Sequence, residues 1–330
     1  MKVLYIGGTG EVSYGCIIAG LELGQHISVY NRGTSGVTLP RGAQHISGDI
    51  NDDATYLSLG GEGWDVVCQF RCFDLRQCER DIAAFSRNVG QFVFISTAMV
   101  YHHPPIPFRV KEDHPQGNPY SDYAQKKIAI EKRLTDEHRA GRMKVTIVRP
   151  SHTMRAKFPS AFIDDHHMIW RWRQGKANIS HGDGASLWTA TRCEDFGRAF
   201  ARLLGNTRAI GEAYHITSDQ AYSWDTIYRA AAEHFGVVPR LVHVPCDALV
   251  RYQPTWAGWL QGDKMHSMVF DNTKVKEAVG GWECRHDLAD IIRMAAPNVE
   301  SRLADFVPDF KLDELLDRIV EDQSNVAPTA

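Results

Sequence analysis

An α/β fold, with a doubly wound parallel sheet followed by a smaller C-terminal α+β lobe, is predicted by three observations. Short apolar or β-branched runs at residues 3–6, 28–30, 66–70, 92–95 and 145–148 alternate with stretches long enough to carry helices, the pattern of a parallel sheet covered on both faces. A glycine-rich turn follows the first of these runs directly. Past Pro150 the texture changes, and seven of the eight tryptophans lie among polar and helical pieces there.

The intervening segments support that reading. Residues 14–23 and 82–85 have helix-compatible apolar spacing, and residues 123–134 are rich in the helix formers Ala, Lys, Ile and Glu. The predicted division is a dinucleotide-binding domain over 1–151, with returning segments near 186–215 and 265–295, and a mainly substrate-binding lobe over 152–330. The tryptophan density in this lobe fits core packing or a ligand-facing wall. Residues 323–330 read as a frayed tail.

With 330 residues and 43% apolar content the chain can bury a full core. Its 37 basic and 40 acidic side chains leave a net charge of −3, which gives no electrostatic reason to expect a nucleic acid or an anionic membrane as partner. A small-molecule substrate is expected instead, with a homodimer as the candidate assembly. The start of the chain lacks the pattern of a signal peptide and no window approaches a membrane span, so a cytoplasmic protein is expected. Seven cysteines, an odd number without a C-x-x-C, suggest reduced thiols and neither a disulfide framework nor a zinc knuckle.

The turn after the first run reads Gly7-Gly8-Thr9-Gly10-Glu11-Val12-Ser13. In a Rossmann-type unit such a loop lets backbone N–H groups approach a pyrophosphate at a helix N-terminus. Gly7 and Gly10 hold the expected places, and Ser13 stands where a third glycine usually permits close helix packing. The second run ends Tyr30-Asn31-Arg32-Gly33, where an NAD-specific site would offer an acidic residue to the adenine ribose. Asn31 and Arg32 would instead meet a 2′-phosphate with a neutral donor and a cation, so NADP is expected in preference to NAD. Asp49 and Ile50, after the next strand region, can flank the adenine.

Tyr123 and Lys127 stand four residues apart, on one face of a predicted helix. A phenol is a poor base at neutral pH, and a neighbouring ammonium together with a positive nicotinamide ring would bring its pKa toward the working range. Upstream, the run at 92–95 ends in Ser96-Thr97-Ala98-Met99, placing hydroxyls at the carboxyl edge of the sheet, where ligands bind in open α/β folds. The glycine loop, the hydroxyl-bearing strand end and the Tyr/Lys pair occur in this order.

In these motifs the chain resembles the extended short-chain dehydrogenase/reductase family, the NAD-dependent epimerases/dehydratases. The resemblance extends to Val148-Arg149-Pro150-Ser151-His152, to the segment from Gly182-Asp183-Gly184 through Phe196, and to Asp271-Asn272-Thr273-Lys274. It implies Tyr123 as acid/base, Lys127 as its partner and holder of the nicotinamide ribose, and Thr97 as the hydroxyl contact, with Ser96 as a substitute. It further implies cofactor contacts at Gly7, Thr9, Gly10, Glu11, Val12, Asn31, Arg32, Asp49, Ile50, Phe70, Lys127 and Pro150, and substrate contacts at His152, Trp188 and Met99. The implied activity is NAD(P)-dependent oxidoreduction or epimerisation at a secondary hydroxyl or keto group of a sugar-like substrate. The glycine loop and the Asn-Arg-Gly strand end are also similar to a chloroplast RNA-binding branch, so a cofactor-binding regulatory or RNA-associated protein is the alternative.

Two departures from the family pattern narrow the expectation. Dehydratases usually carry an Asp-Glu pair where this chain has Ala98 and Met99, so elimination lacks its general acid. The places of the two arginines that clamp a nucleotide diphosphate fall at Trp188 and near Leu260, so a standard nucleoside-diphosphate sugar is not expected; Arg155, Lys157, Arg171, Arg173 and Lys264 are the cations near enough to compensate. No metal site is expected: His102-His103 and His166-His167, with Asp164-Asp165, read as polar surface. Arg171-Trp172-Arg173 reads as an anion grip or a solvated helix face.

Overall fold

The computed structural model describes residues 1–326. Seven parallel strands form the central sheet: β1 (Lys2–Ile6), β2 (His26–Asn31), β3 (Gln44–Ser47), β4 (Val66–Gln69), β5 (Gln91–Ile95), β6 (Val145–Pro150) and β7 (Ala213–Ile216), in the order β7-β6-β5-β4-β1-β2-β3. β1 pairs on one side with β2, Val3 opposite Ile27, and on the other with β4, Val3 opposite Val66. The strand order therefore reverses at β1, and the crevice beyond the carboxyl ends of β1 and β4 is the natural ligand position. Two strands escape the sequence pattern. β3 carries the polar run Gln-His-Ile-Ser at an exposed edge, and β7 is short and enters the sheet from the far side of β6.

One apolar cluster lies where the helices Ser13–Glu22 and Cys193–Leu203 cover the sheet, and another where Leu75–Phe85 and Asp122–Arg139 do. The first pair of helices approaches so closely that a Cβ on Gly15 would lie 2.1 Å from the Cys193 carbonyl oxygen, and one on Gly197 would lie 2.2 Å from that of Gly15. The sequence reading looked for close packing at Ser13. The structure places it at Gly15, against a helix nearly 180 residues further along the chain, while Ser13 Oγ accepts a hydrogen bond from Gly10 N at 3.1 Å.

The C-terminal half contains two further apolar clusters. Trp172, Trp188, Trp224, Trp256 and Trp282 are all buried, so most of the tryptophans pack cores and do not form an open wall; Trp259 is exposed. Arg171 is neither an anion grip nor a solvated cation. Its fully buried guanidinium pairs with Asp313 and, at 2.8 Å, with Asp317 on the helix Phe310–Val326, and donates to the Ala177 carbonyl at 2.7 Å. Arg173 pairs with Glu300. The terminal helix is thereby tied down, and residues 323–326 continue it where fraying was expected; residues 327–330 lie outside the described residues.

The ligating atoms of Asp164, Asp165 and His166 lie within 4.8 Å of one another, a grouping the reading as polar surface had set aside. His166 Nδ1 contacts both carboxylates, Asp165 at 2.9 Å, and Arg302 reaches Asp165 at 3.2 Å. The hydrogen bonds to Asp164 and Asp165 raise the imidazole to about 9, so it is a clamped cation at neutral pH. Among the described residues no helix is long and apolar enough to cross a membrane.

Two outcomes are expected. Gly15→Ala should lower the unfolding free energy by about 1–3 kcal/mol, because the new methyl meets a backbone carbonyl that cannot swing aside, whereas Gly61→Ala, with open space around it, should not; equal urea midpoints for the two variants would refute the close approach. The His166 clamp has a folded pKa above the unfolded value of ~6.5, so its contribution is complete below that value and lost as pH rises through about 9. The stability difference between the protein and His166→Gln should therefore shrink from pH 6 to pH 10 in paired denaturation curves.

Candidate active site

A cavity of about 460 Å³ opens at the carboxyl ends of the strands on both sides of the β1 switch point. Every residue for which a cofactor contact was expected lies on its wall: Gly7, Thr9, Gly10, Glu11, Val12, Asn31, Arg32, Asp49, Ile50, Phe70, Lys127 and Pro150. Tyr123 and Ser96 line its far end, with Arg71 and Phe73, which the sequence reading did not select although they directly follow Phe70 at a strand end.

At the glycine loop, Gly7 has φ +82°, a conformation that strongly favours glycine, and its N–H donates to the Tyr30 carbonyl at 3.0 Å to close the turn. Gly8 faces inward, where a Cβ would lie 2.5 Å from Val29. A Cβ on Gly10 would meet only Ser13 Oγ, at 3.5 Å, so the loop backbone stays open to a ligand on that side. The helix Ser13–Glu22 begins without a side-chain cap and without an acidic residue in its first turn. Its leading amides and dipole therefore suit an anion, and the residues present fit a dinucleotide pyrophosphate. Glu11 turns away from this position: its carboxylate accepts from Arg155 N at 2.7 Å and Ala156 N at 2.8 Å, fastening the loop to the second lobe.

At the other end of the wall, Asn31 Oδ1 accepts from Gly33 N at 2.8 Å, and its buried Nδ2 has no partner among the described residues. Arg32 is exposed beside it. Tyr30 OH donates to the Asp49 carbonyl at 2.9 Å, which positions the Asp49-Ile50 segment.

Ser121 caps the helix Asp122–Arg139, its Oγ accepting from Ala124 N at 3.3 Å, and so sets Tyr123 in the first turn with Lys127 one turn later. Lys127 is buried, and its ammonium donates to the carbonyls of Cys72 and Ile95, each at 2.8 Å. Nζ passes 5.7 Å from the Tyr123 ring centre. Burial pulls Lys127 down to about 8.

In the protein alone, Lys127 is not among the groups that shift the Tyr123 pKa. Although Tyr123 is 40% exposed, desolvation by the surrounding protein and the Asp263 carboxylate push the phenol up to about 12, against a side-chain hydrogen bond with Thr97. The chain's own groups hold Tyr123 as a protonated donor at neutral pH.

Thr97 is buried, contacts Tyr123 and caps the short helical turn Ala98–Val100 by accepting from Met99 N at 3.3 Å. It lies outside the cavity lining, whereas Ser96 lies on it with a buried Oγ that has no protein partner. Met99, His152 and Trp188 also lie outside that lining. His152 and Trp188 are together, with ring centres 5.9 Å apart, and His152 packs on Trp224 at 5.8 Å. Of the cations considered for diphosphate binding, Arg171 and Arg173 belong to ion pairs elsewhere and Arg155 lies 4.0 Å from Glu11.

Residues 81–217 match the model of the NAD dependent epimerase/dehydratase family. Among curated proteins the chain is 26% identical over 250 residues to 2′-dehydrokanamycin reductase of Streptomyces kanamyceticus, a match spanning 75% of this chain and 70% of that one. It is 23% identical over 257 residues to the chloroplast stem-loop binding protein of 41 kDa b of Arabidopsis thaliana, spanning 73% of this chain and 65% of the relative. Among solved structures, UDP-glucuronic acid 4-epimerase from Bacillus cereus in complex with NAD superposes with a TM-score of 0.72 at 19% identity, covering 92% of this chain and 100% of that one. Pal from Bacillus thuringiensis superposes with a TM-score of 0.72 at 18% identity, covering 91% and 99%. The segment that matches the NAD dependent epimerase/dehydratase family carries both Tyr123 and Lys127, and it is joined by the parallel sheet and by the glycine loop at its switch point.

Proposed function

We propose that this protein is an NAD(P)-dependent oxidoreductase or epimerase acting on a secondary hydroxyl or keto group of a sugar-like ring, with Tyr123 as its acid/base. The observation that carries the reading is the single cavity wall that runs from the anion-binding glycine loop to Ser96, Tyr123 and Lys127. A nicotinamide cofactor, when bound, supplies acceptance or delivery of a hydride. The chain's own residues do the rest.

Tyr123 holds a proton on its hydroxyl at neutral pH and gives it to a carbonyl oxygen being reduced, or recovers one from a hydroxyl being oxidised. Ser96 Oγ, buried and without a protein partner, donates to the same oxygen and orients it. Lys127 holds the site's positive charge in place through two backbone carbonyls. Its ammonium retains a third N–H for a ribose hydroxyl. Thr97 orients the phenol.

Ala98 and Met99 are buried apolar residues at the strand end and offer no acid for expelling a hydroxyl, which favours reduction or epimerisation over dehydration. The relative named as a reductase of 2′-dehydrokanamycin is in keeping with chemistry on a ring ketone. Replacing two diphosphate-clamping arginines by Trp188 and Leu260 removes interactions of about 1.5–3 kcal/mol each, so the substrate is not a standard nucleoside-diphosphate sugar. An RNA-associated role gains no support from 37 basic against 40 acidic side chains.

A turnover screen of cofactor-loaded protein against UDP-, dTDP- and GDP-sugars beside free sugars, sugar phosphates and cyclitols supplies the substrate. With it, Tyr123→Phe should lose about 10²–10⁴-fold in kcat while binding the cofactor as before; near-normal turnover removes the assignment. NADP(H) should bind more tightly than NAD(H), because Asn31 Nδ2 is an unpaired donor beside the exposed Arg32. Asn31→Asp with Arg32→Ala should reverse that order in calorimetry, and equal or tighter NAD(H) binding by the unmodified protein would sink the preference.

A further inference from the structure

We propose that Lys264, within its buried ion pair with Asp263, is the specificity-determining residue of the substrate site, donating to the oxygens of an uncharged polyhydroxylated ring held against Trp188, Trp224 and His152. The proposal rests on the reading of Tyr123 as the acid/base of a sugar-like substrate and deepens it.

The placement comes from Asn118, a fully buried residue three positions before Ser121, the cap of the Tyr123 helix. Its side-chain amide donates to the Met99 carbonyl at 2.9 Å and to the Gly262 carbonyl at 2.6 Å. The wide helical turn Leu260–Lys264 is thereby docked on the residues that lead into the Tyr123 helix. The fit is close: a Cβ on Gly262 would lie 3.0 Å from Asn118 Oδ1 and 3.2 Å from Tyr120 Cβ. Asp263 and Lys264 are held rigidly on the Tyr123 side of the molecule, and the Asp263 charge is felt at the phenol.

Lys264 is 1% exposed. Its ammonium donates to Asp263 Oδ2 at 2.7 Å and lies 4.8 Å from the Trp259 ring centre and 5.8 Å from that of Trp188. An ammonium has three N–H donors, and among the described residues Asp263 is the only acceptor at hydrogen-bond distance. The neighbours are likewise unsatisfied: Trp188 Nε1, Trp224 Nε1, His152 Nδ1 and His181 Nδ1 are all buried without a partner among the described residues. These rings form one nest, with Trp188 and Trp224 centres 6.0 Å apart, His181 5.4 Å from Trp224 and His152 against both indoles. Buried polar groups left without partners are rare in folded proteins, and their concentration around Lys264 marks a place where a ligand completes them.

The chemistry of that ligand follows from the donors. Two indole N–H groups and the ammonium can only donate, so they require acceptor oxygens. His181 Nε2 donates to the Lys264 carbonyl at 3.0 Å, leaving its Nδ1 to accept. Burial keeps both His152 and His181 neutral, and Lys264 and Asp263 cancel. A nest of zero net charge does not compensate a diphosphate or a uronate carboxylate. Hydroxyls, which both accept and donate, match its mixture of N–H donors, one imidazole acceptor and a carboxylate, and the indole faces match the C–H faces of a saturated ring.

The test is a fluorescence titration of NADP⁺-loaded protein, since Trp188 and Trp224 would report a ligand directly. The probes are free hexoses, disaccharides and inositols, with D-glucuronate and UDP-glucose as charged comparisons. Saturable quenching by at least one neutral polyol is expected, with most of the signal lost in Trp224→Phe. Lys264→Met should raise the dissociation constant for that polyol at least tenfold and leave that for NADP⁺ unchanged. Because Lys264→Met strands a buried carboxylate, the neutral double variant Asp263→Asn/Lys264→Met is measured beside it and should show the same loss. Saturation by UDP-glucose or glucuronate alone, saturation by no probe, or polyol affinity within twofold of the unmodified protein in the double variant would overturn the proposal. Tyr123→Phe keeps the two readings apart, because it should abolish turnover and retain polyol quenching; turnover surviving in that variant counts against the acid/base and leaves the binding result standing.

Discussion

The candidate site depends on one buried ammonium. Lys127 reaches from the helix Asp122–Arg139 to the Cys72 and Ile95 carbonyls, which lie just past and at the carboxyl ends of neighbouring strands. Carbonyls at that edge of a parallel sheet have lost their ladder partners and would otherwise be buried unsatisfied. A single side chain supplies both hydrogen bonds, joins two central strands to the helix and fixes the register of Tyr123 one turn away. Burying a charge is costly unless it is hydrogen-bonded, and here the structural bonds meet most of that cost before any ligand is involved.

The electrostatics around this ammonium differ from a simple Tyr/Lys relay. Lys127 is committed to carbonyls, so in the protein alone the stronger influences on Tyr123 are desolvation and Asp263, both favouring the neutral phenol. That state is the one a proton donor to a ketone requires, whereas oxidation of an alcohol needs extra positive charge near the ring.

Two contacts between distant parts of the chain fix its segments, the first between the halves and the second within the C-terminal one. Glu11, in the glycine loop, accepts from consecutive amides at Arg155 and Ala156, so the loop is braced by the C-terminal lobe. Arg171 buries its guanidinium between Asp313, Asp317 and the Ala177 carbonyl, tying the C-terminal helix to the same lobe. Neither contact is a strong source of net stability, since desolvation offsets most of a buried ion pair, but each fixes an orientation.

The sequence by itself determined the strand alternation, the glycine loop at the first crossover and the face shared by Tyr123 and Lys127, because these are local features. Apolar period, a φ that favours glycine and a four-residue helical spacing are all written in short windows of the chain. Every expected cofactor contact falls on one cavity wall, and apart from Lys127, which comes from a helix, each lies at or just after a strand end, where the strands converge at the switch point. The tertiary structure alone decided that Gly15 is the close-packing glycine, that Trp188 is buried against His152 and Trp224, that Arg171 is an internal ion pair, and that Asn118 carries Asp263 and Lys264 to the Tyr123 side. Each of these depends on partners from 19 to nearly 180 residues away, as with Asn118 and Met99, or with Gly15 and Cys193. Side-chain type and spacing do not specify such a partner until the chain has folded.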